Sequence, residues 1–544
     1  MERKKNMPGI AKQSQETIDA TETAQLNRNA GIPNFKPNDS GDELASYPRK
    51  QRTLIDIALV ISLTVMALLV HGYHLGLEDE GVYLPAVKLH LDPGLYPHDS
   101  IFFTAQMKLT LYDKIIALLV SWSHLRIEPV VFALHIFAVF LVLLACLKLS
   151  RRLFIRPEAQ WASVTLIAAL LTLPVTGSAL LIMDQYLHPR SFAMALILFG
   201  IVEILDRKIL QAGFCLVFAG LISPLMGLYG VSFGLLLAAR RPVREHPFAR
   251  PGVFLAAGVA SQPGANVWDE VTRSYYYLAQ WQWYELLGVV APIIILFALS
   301  LMHRKGEPAA FRRVSRCIAV FGFLFSLISL SLSMPFFERL LSIQPMRSFH
   351  LVYVVLFLYL GGLIGEKILK NKPLRWILFF LPLCIAMFAV QRYQYTASDH
   401  IELPWMKPRN QWVQAFQWIR ENTPKNAFFA LDPYYMEQEG EDFHGFRALA
   451  ERSQMADQVK DPAVVSVLIT ANKLMGGKFE DQSGVAKIWH EQVTAIRNWK
   501  NFGVEDFQRL KEQFRVDWVV LEKPAVSGLA CPYENDVVKV CRID

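Results

Sequence analysis

Residues 54–84 read LIDIALVISLTVMALLVHGYHLGLEDEGVYL. The first nineteen, Leu54 to Gly72, hold one charged side chain and reach the length that a ~30 Å hydrocarbon core requires at 1.5 Å rise per residue. The run then meets three consecutive acids, Glu78, Asp79 and Glu80. Outward from it, apolar runs recur at Pro129–Leu147, Trp161–Met183, Ser191–Leu205, Gly213–Ala239, Leu286–Met302, Cys317–Met334, Phe349–Gly365 and Trp376–Val390. One such run is compatible with a buried core helix. A series this long does not fit the core of one soluble domain. Of the 544 residues 53% are hydrophobic and 19% charged, against about 25% charged in soluble domains. This composition excludes a disordered chain and argues against an ordinary soluble enzyme. The expected fold is a polytopic α-helical membrane protein of about nine spans plus a broken re-entrant hairpin, with a C-terminal soluble α/β domain.

The basic clusters set the orientation. Arg49, Lys50 and Arg52 precede the first run, and Lys148, Arg151, Arg152 and Arg156 follow the second. Further clusters lie at Arg207 and Lys208, at Arg240 to Arg250, at His303 to Arg316 and at Lys367 to Arg375. Placing all of them in the cytoplasm satisfies the positive-inside rule. Met107–Leu125 then lies as an amphipathic helix at the outer surface within a first outer loop, 73–128. Gly213–Ala239 enters and returns, broken near Ser223 and Pro224, and Pro251–Ser261 crosses outward. Residues 1–53 are polar, hold no signal-peptide core and read as a flexible cytoplasmic tail. The transmembrane part spans 54–391.

Residues 392–544 are charged and mixed, enough for one extracytoplasmic domain. Trp412, Phe416 and Ile419 share one helical face, and Asn410 is placed to cap that helix. Ala427–Leu431, Val516–Leu521 and Val537–Cys541 read as strands, with Val504–Phe514 as a helix. Outside the cytoplasm a Cys531–Cys541 disulfide is chemically allowed, and so are two free thiols. No Cys/His zinc spacing occurs.

Ionisable residues recur at the outer ends of different spans. The EDE triplet is one group; Asp184, His188 and Arg190 in MDQYLHPRS are a second; Gln344, Arg347 and His350 in ERLLSIQPMRSFH are a third. An aromatic stretch, VWDEVTRSYYYLAQWQWYE, lies outside as well, where Trp and Tyr belts are ordinary. Membrane-edge ionisable groups are functional-site hypotheses by default. Carboxylate, arginine and histidine together suit chemistry in which a base activates a hydroxyl and cations hold a departing phosphate.

This arrangement resembles the GT-C superfamily of integral membrane glycosyltransferases. The resemblance rests on a first span followed by an acidic outer loop (EDEGVYL), a second acidic outer turn at Asp184, many spans, and a C-terminal domain opening with WVQAFQWIRENTPKNAFFALDP. PGLYPHDSIFF, QWQWYELLG and QPMRSFHLVY are similar to segments of uncharacterised bacterial membrane proteins of this type. The WWDYG motif of oligosaccharyltransferases is absent, and WQWYE is not its equivalent, which argues against asparagine glycosylation.

The resemblance implies inverting sugar transfer at the outer face of the bacterial inner membrane. The partners would be a polyprenyl-phosphate sugar donor and membrane lipid, with no nucleic acid. Asp79, assisted by Glu78 or Glu80, would act as base or hold a divalent cation, the three acids raising one another's pKa. Arg347 would bind the donor phosphate, with Gln344, Asp184, His188 and Arg190 as further substrate contacts. The alternatives are a transporter or flippase of a lipid-linked or anionic substrate, and a non-catalytic component of envelope polysaccharide assembly. The stretch EGEDFHGFRALAERSQMADQVKD, with Glu441, Asp442, His444, Arg447, Arg452, Asp457 and Lys460, reads as a solvated helix and loop; the sharper reading is a lid over the membrane site.

Overall fold

A computed structural model describes residues 49–239, 274–302, 306–332, 343–474, 483–525 and 528–544. Almost all of the N-terminal tail, the segment Pro251–Ser261 and Trp268 lie outside the described residues. Residues 1–58 and 59–544 form two units. Only the start of α1 (Arg49–His71) is described in the first.

Among the described residues six helices are long and apolar enough to cross a membrane: α1, then α5 (Ile127–Leu153), α10 (Trp283–Leu301), α11 (Ala309–Leu332), α12 (Phe349–Ile364, entered through Pro345–Ser348 and prolonged by a π turn to Leu369) and α13 (Pro373–Gln394). Burial separates them by role. The α12 segment is 78% buried and α13 only 17%, so α12 is the centre of the bundle and α13 presents most of its surface outward. Gly361 of α12 permits that central position, because a Cβ there would stand 2.7 Å from the carbonyl oxygen of Ala162 on α6 (Pro157–Ala169).

One apolar run differs from the expectation of a plain span, and another has the break expected of it. Trp161–Met183 is not one helix: α6 stops at Ala169, and the chain continues to His188 without regular structure before α7 (Pro189–Leu205). Pro174 and Gly177 interrupt the run, a breaking signal that hydropathy does not register. Leu171, Val175, Ile182, Met183 and Leu187 of this stretch are buried. Irregular backbone near membrane depth is tolerated where protein covers it. The run Gly213–Ala239 is a broken hairpin, α8 (Ile209–Ile222) and α9 (Pro224–Ala238), with Ser223 alone between them. Pro224 opens α9 at a position where its missing N–H costs no helical bond. The two arms approach closely at Gly220 and Gly227, where a Cβ on Gly227 would run into the Gly220 Cα.

The loop after α1 carries α2 (Glu80–Leu91), α3 (Ile101–Met107) and α4 (Tyr112–Ser123). With twelve residues α4 is too short to cross. Tyr112, Ile116 and Val120 face inward, whereas Ile115, Leu118 and Trp122 are exposed.

The C-terminal part follows the helix and strand alternation of its sequence. Asn410 caps α14 (Gln411–Asn422), accepting from the backbone N–H groups of Trp412 and Val413, and Trp412, Phe416 and Ile419 are buried. Five strands form one sheet in the order β2-β1-β3-β5-β4: β1 Phe428–Ala430, β2 Ser453–Gln454, β3 Trp518–Glu522, β4 Ala530–Glu534 and β5 Val538–Arg542. β2, β1 and β3 run parallel, with Phe429 opposite Gln454 and Ala430 opposite Val519; β5 and β4 complete the sheet antiparallel. Helices α15 (Phe446–Ala450), α16 (Asp461–Leu474), α17 (Ser483–Ile496) and α18 (Val504–Phe514) accompany it. Cys531 and Cys541 form a disulfide between β4 and β5.

This part grips the first loop directly. Tyr73 N–H donates to His400 O (3.0 Å), Glu402 N–H to Tyr73 O (2.8 Å), Glu78 N–H to Phe443 O (2.9 Å) and Gly445 N–H to Gly76 O (2.8 Å). Lys88 Nζ reaches Ala448 O, and Tyr96 Oη donates to Arg447 O, both at 2.8 Å.

Gly227→Ala is expected to lower the melting temperature of the detergent-purified protein, with overpacking against backbone costing about 1–3 kcal/mol and outweighing the better helix propensity of alanine. Gly213→Ala, which meets nothing within 4 Å, should leave it unchanged or slightly higher.

Candidate functional site

The three acids after the first span share a sequence but not an environment. Glu78 adopts a left-handed backbone (φ 51°) that turns the chain into α2 and splays its neighbours. Its carboxylate pairs with Lys460. Asp79 remains 37% exposed and is met from three directions: Lys460 Nζ at 3.3 Å, His188 Nε2 at 3.5 Å and Arg190 Nη2 at 3.8 Å. Glu80 turns inward. It is 2% exposed and accepts the Gly76 N–H at 2.7 Å.

The titration behaviour follows these surroundings. Burial acts to raise the Asp79 carboxyl, but Lys460, the His188 hydrogen bond and Arg190 outweigh it and hold it well below the usual carboxylate range. Burial pushes Glu80 up to about 8, so this acid is largely neutral at pH 7. The mutual elevation expected of three adjacent acids is therefore corrected for Asp79: cations from distant segments dominate it. Burial alone would lower the Lys460 ammonium, yet Glu78 and Asp79 hold it above its ordinary range.

His188 is the N-cap of α7. Its Nδ1 accepts the Arg190 backbone N–H at 3.0 Å, which leaves Nε2 to carry the ring proton toward Asp79. The Arg190 guanidinium is buried and straddles Asp184, one Nη2 lying 3.0 and 2.9 Å from its two carboxylate oxygens. The Tyr83 ring packs edge-on to His188 at 5.0 Å. Arg347 lies within electrostatic reach of Tyr83, as do Asp79, Arg190 and Asp184. Its guanidinium sits 5.2 Å from the Tyr275 ring centroid, and among the described residues its Nε has no hydrogen-bond partner. Three carboxylates (Glu78, Asp79, Asp184) thus share one neighbourhood with three cations (Lys460, Arg190, Arg347).

Gln344 belongs to an adjoining group and does not touch Asp79. Its Nε2 donates to Tyr276 Oη at 3.3 Å, and that hydroxyl shares a 2.7 Å hydrogen bond with Ser466 on α16. His350 bonds Ile182 O at 2.7 Å and so fastens α12 to the irregular stretch before α7. The apolar cavity of about 380 Å³ bounded by Leu63, Trp161, Thr165 and Trp376 lies at the far end of α6 and is separate from this cluster.

The stretch from Glu441 to Lys460 corrects the expectation of a solvated helix and loop. Glu441, His444, Arg447, Arg452 and Asp457 are all buried. Arg447 is the hub: Nε reaches Asp99 at 2.6 Å, while Nη1 and Nη2 reach the two oxygens of Asp461 at 2.8 and 3.0 Å. Lys460, immediately before Asp461, is carried with it to Glu78 and Asp79. The sequence put Lys460 in a candidate lid but offered no signal for its carboxylate partners. Glu402 was not singled out either. It takes His444 Nε2 at 3.2 Å on both oxygens and lies 3.8 Å from His74.

Among the described residues no three or more His, Cys, Asp or Glu side chains converge as metal ligands. The Lys460 ammonium meets both Glu78 and Asp79. No protein-family model and no curated protein matches the sequence.

The His444–Glu402 pair gives a pH prediction. Burial acts to lower His444, but Glu402 raises it to about 9. The folded protein therefore holds this proton more tightly than the unfolded chain. The stabilisation is complete below the unfolded value near pH 6.5 and disappears as pH climbs through 9, up to about 3 kcal/mol at about 1.4 kcal/mol per unit. Melting temperature should fall across that window, and the slope should flatten in Glu402→Gln.

Proposed function

We propose that this protein is an integral membrane glycosyltransferase of the inverting type. It would move a sugar from a polyprenyl-phosphate donor to an envelope acceptor at the non-cytoplasmic face of the bacterial inner membrane. The observation that carries the reading is Asp79: a solvent-reachable carboxylate with His188, Arg190 and Lys460 around it and Arg347 nearby. A disulfide in the C-terminal part favours an oxidising compartment for that side.

In this reading the acceptor hydroxyl donates a hydrogen bond to Asp79. Its oxygen attacks the anomeric carbon as the bond from that carbon to the phosphate oxygen breaks, and the phosphate departs with the electron pair. The hydroxyl proton passes to Asp79 late, once C–O bond formation has made the hydroxyl strongly acidic. A carboxylate held at low pKa is a weak base, and so orientation and late proton uptake are the roles open to it. The Arg347 guanidinium, whose Nε has no partner among the described residues, would hold the departing phosphate oxygens. Displacement without a covalent intermediate inverts the anomeric centre.

Asp79→Asn should reduce transfer from polyprenyl-phosphate sugars in membranes by at least ~10²-fold while donor binding persists. Full turnover by correctly inserted Asp79→Asn protein would remove this residue from the chemistry. Arg347→Lys should raise the donor KM about tenfold, one bidentate contact being worth roughly 1–2 kcal/mol. An unchanged KM would take the phosphate away from Arg347.

A further inference from the structure

The parallel part of the C-terminal sheet has a feature that the Asp79 site does not use. The chain leaves β1 for β2 on one side, then passes back over β1 to lay down β3 on the other. The crevice beyond the carboxyl ends of β1 and β3 is therefore a topological switch point, where open α/β sheets bind ligands. A cavity of about 400 Å³ opens there, within the ~300–1,000 Å³ of small-molecule sites. Two connections line it. Asp432, Tyr434 and Gln438 follow β1, and Arg497 to Asn501 join α17 to α18.

Both walls are fixed from behind. Trp499 is buried against Phe502 and Phe507, with ring centroids at 5.5 and 5.6 Å, and anchors the second wall. In the first, Asp432 is 9% exposed; it accepts the Tyr434 N–H at 2.8 Å and Gln438 Nε2 at 3.4 Å. Glu522, at the end of β3, lies within electrostatic reach of both Lys500 and Asp432.

The lining selects a ligand class. Asp432 and Glu522 offset Arg497 and Lys500, so the crevice carries no surplus positive charge for a phosphate. The turn after β1 is a three-residue 3₁₀ turn, Tyr435–Glu437, and presents no helix N-terminus to an anion. What remains is a set of planar polar groups: the amides of Gln438, Asn498 and Asn501, the Asp432 carboxylate and the Arg497 guanidinium. Each can pair with adjacent hydroxyls as donor, acceptor or both. Beside them Tyr434, 46% exposed, offers an apolar ring face with a polar tip. We propose that this crevice is a binding site for a neutral saccharide, gripped by the amides and Asp432 and stacked on Tyr434. The site stands whether or not Asp79 performs transfer.

The test uses the full-length protein in detergent micelles on an array of neutral oligosaccharides, comprising glucose, galactose, mannose and N-acetylglucosamine oligomers in both anomeric linkages. Selective binding to one linkage class is expected. Tyr434→Ala and Asn498→Ala should each weaken it at least tenfold without moving the melting temperature, because both side chains are exposed. Asp79→Asn should bind as the parent does. The proposal is overturned if no oligosaccharide binds, if binding survives both substitutions, or if uridine diphosphate occupies the crevice in preference to every sugar.

Discussion

A single buried guanidinium holds the two ends of this chain in register. Arg447 places Asp99, from the loop after the first span, and Asp461, at the start of α16, on opposite edges of one planar group, and lies 5.3 Å from the centre of the Phe102 ring. A charge this deeply enclosed is tolerated only when its donors are met, and removing one partner of such a group typically costs about 3–5 kcal/mol. Because Lys460 immediately precedes Asp461, the geometry around Asp79 depends on this knot.

The same logic explains why three adjacent acids behave as three different groups. A left-handed residue at Glu78 aims consecutive side chains apart. One finds a lysine, one finds a ring of cations and stays near water, and one is enclosed. Like-charge repulsion weakens along this series because each carboxyl meets a stronger field from elsewhere: ammonium and guanidinium in two cases, loss of solvent in the third. The resulting cluster is close to electroneutral and couples the irregular stretch before α7 to the C-terminal part.

Hydropathy and capping signals in the sequence reached most of the architecture. The apolar runs Pro129–Leu147 and Trp376–Val390, which lie within helices Ile127–Leu153 and Pro373–Gln394, the break at Ser223–Pro224, the Asn410 cap and the helix Val504–Phe514 were all legible, because each depends on neighbouring residues. The end of α6 at Ala169 was misjudged, since summed hydropathy passed over Pro174 and Gly177. The individual members of the candidate site were legible as well; Asp79, His188, Arg190 and Arg347 stood out as charges at the ends of apolar runs. Their partners were not. Lys460 to Asp79, His444 to Glu402 and Arg447 to Asp99 are tertiary pairings that no local pattern encodes, and a segment dense in charge gave no sign that it would be enclosed.

The pairing of Glu78 with Lys460 spans 382 residues of chain. At the usual elongation rate of roughly 5–20 residues per second, the carboxylates leave the ribosome some 20–80 s before the ammonium that neutralises them. Early in that interval the acidic loop stands bare beside a growing bundle; Asp79 gains His188 and Arg190 once these emerge, whereas Glu78 waits for Lys460. Biosynthesis thus completes this cluster only when Lys460 emerges, and a protein truncated before Lys460 would carry its spans without the ammonium that joins Glu78 to Asp79.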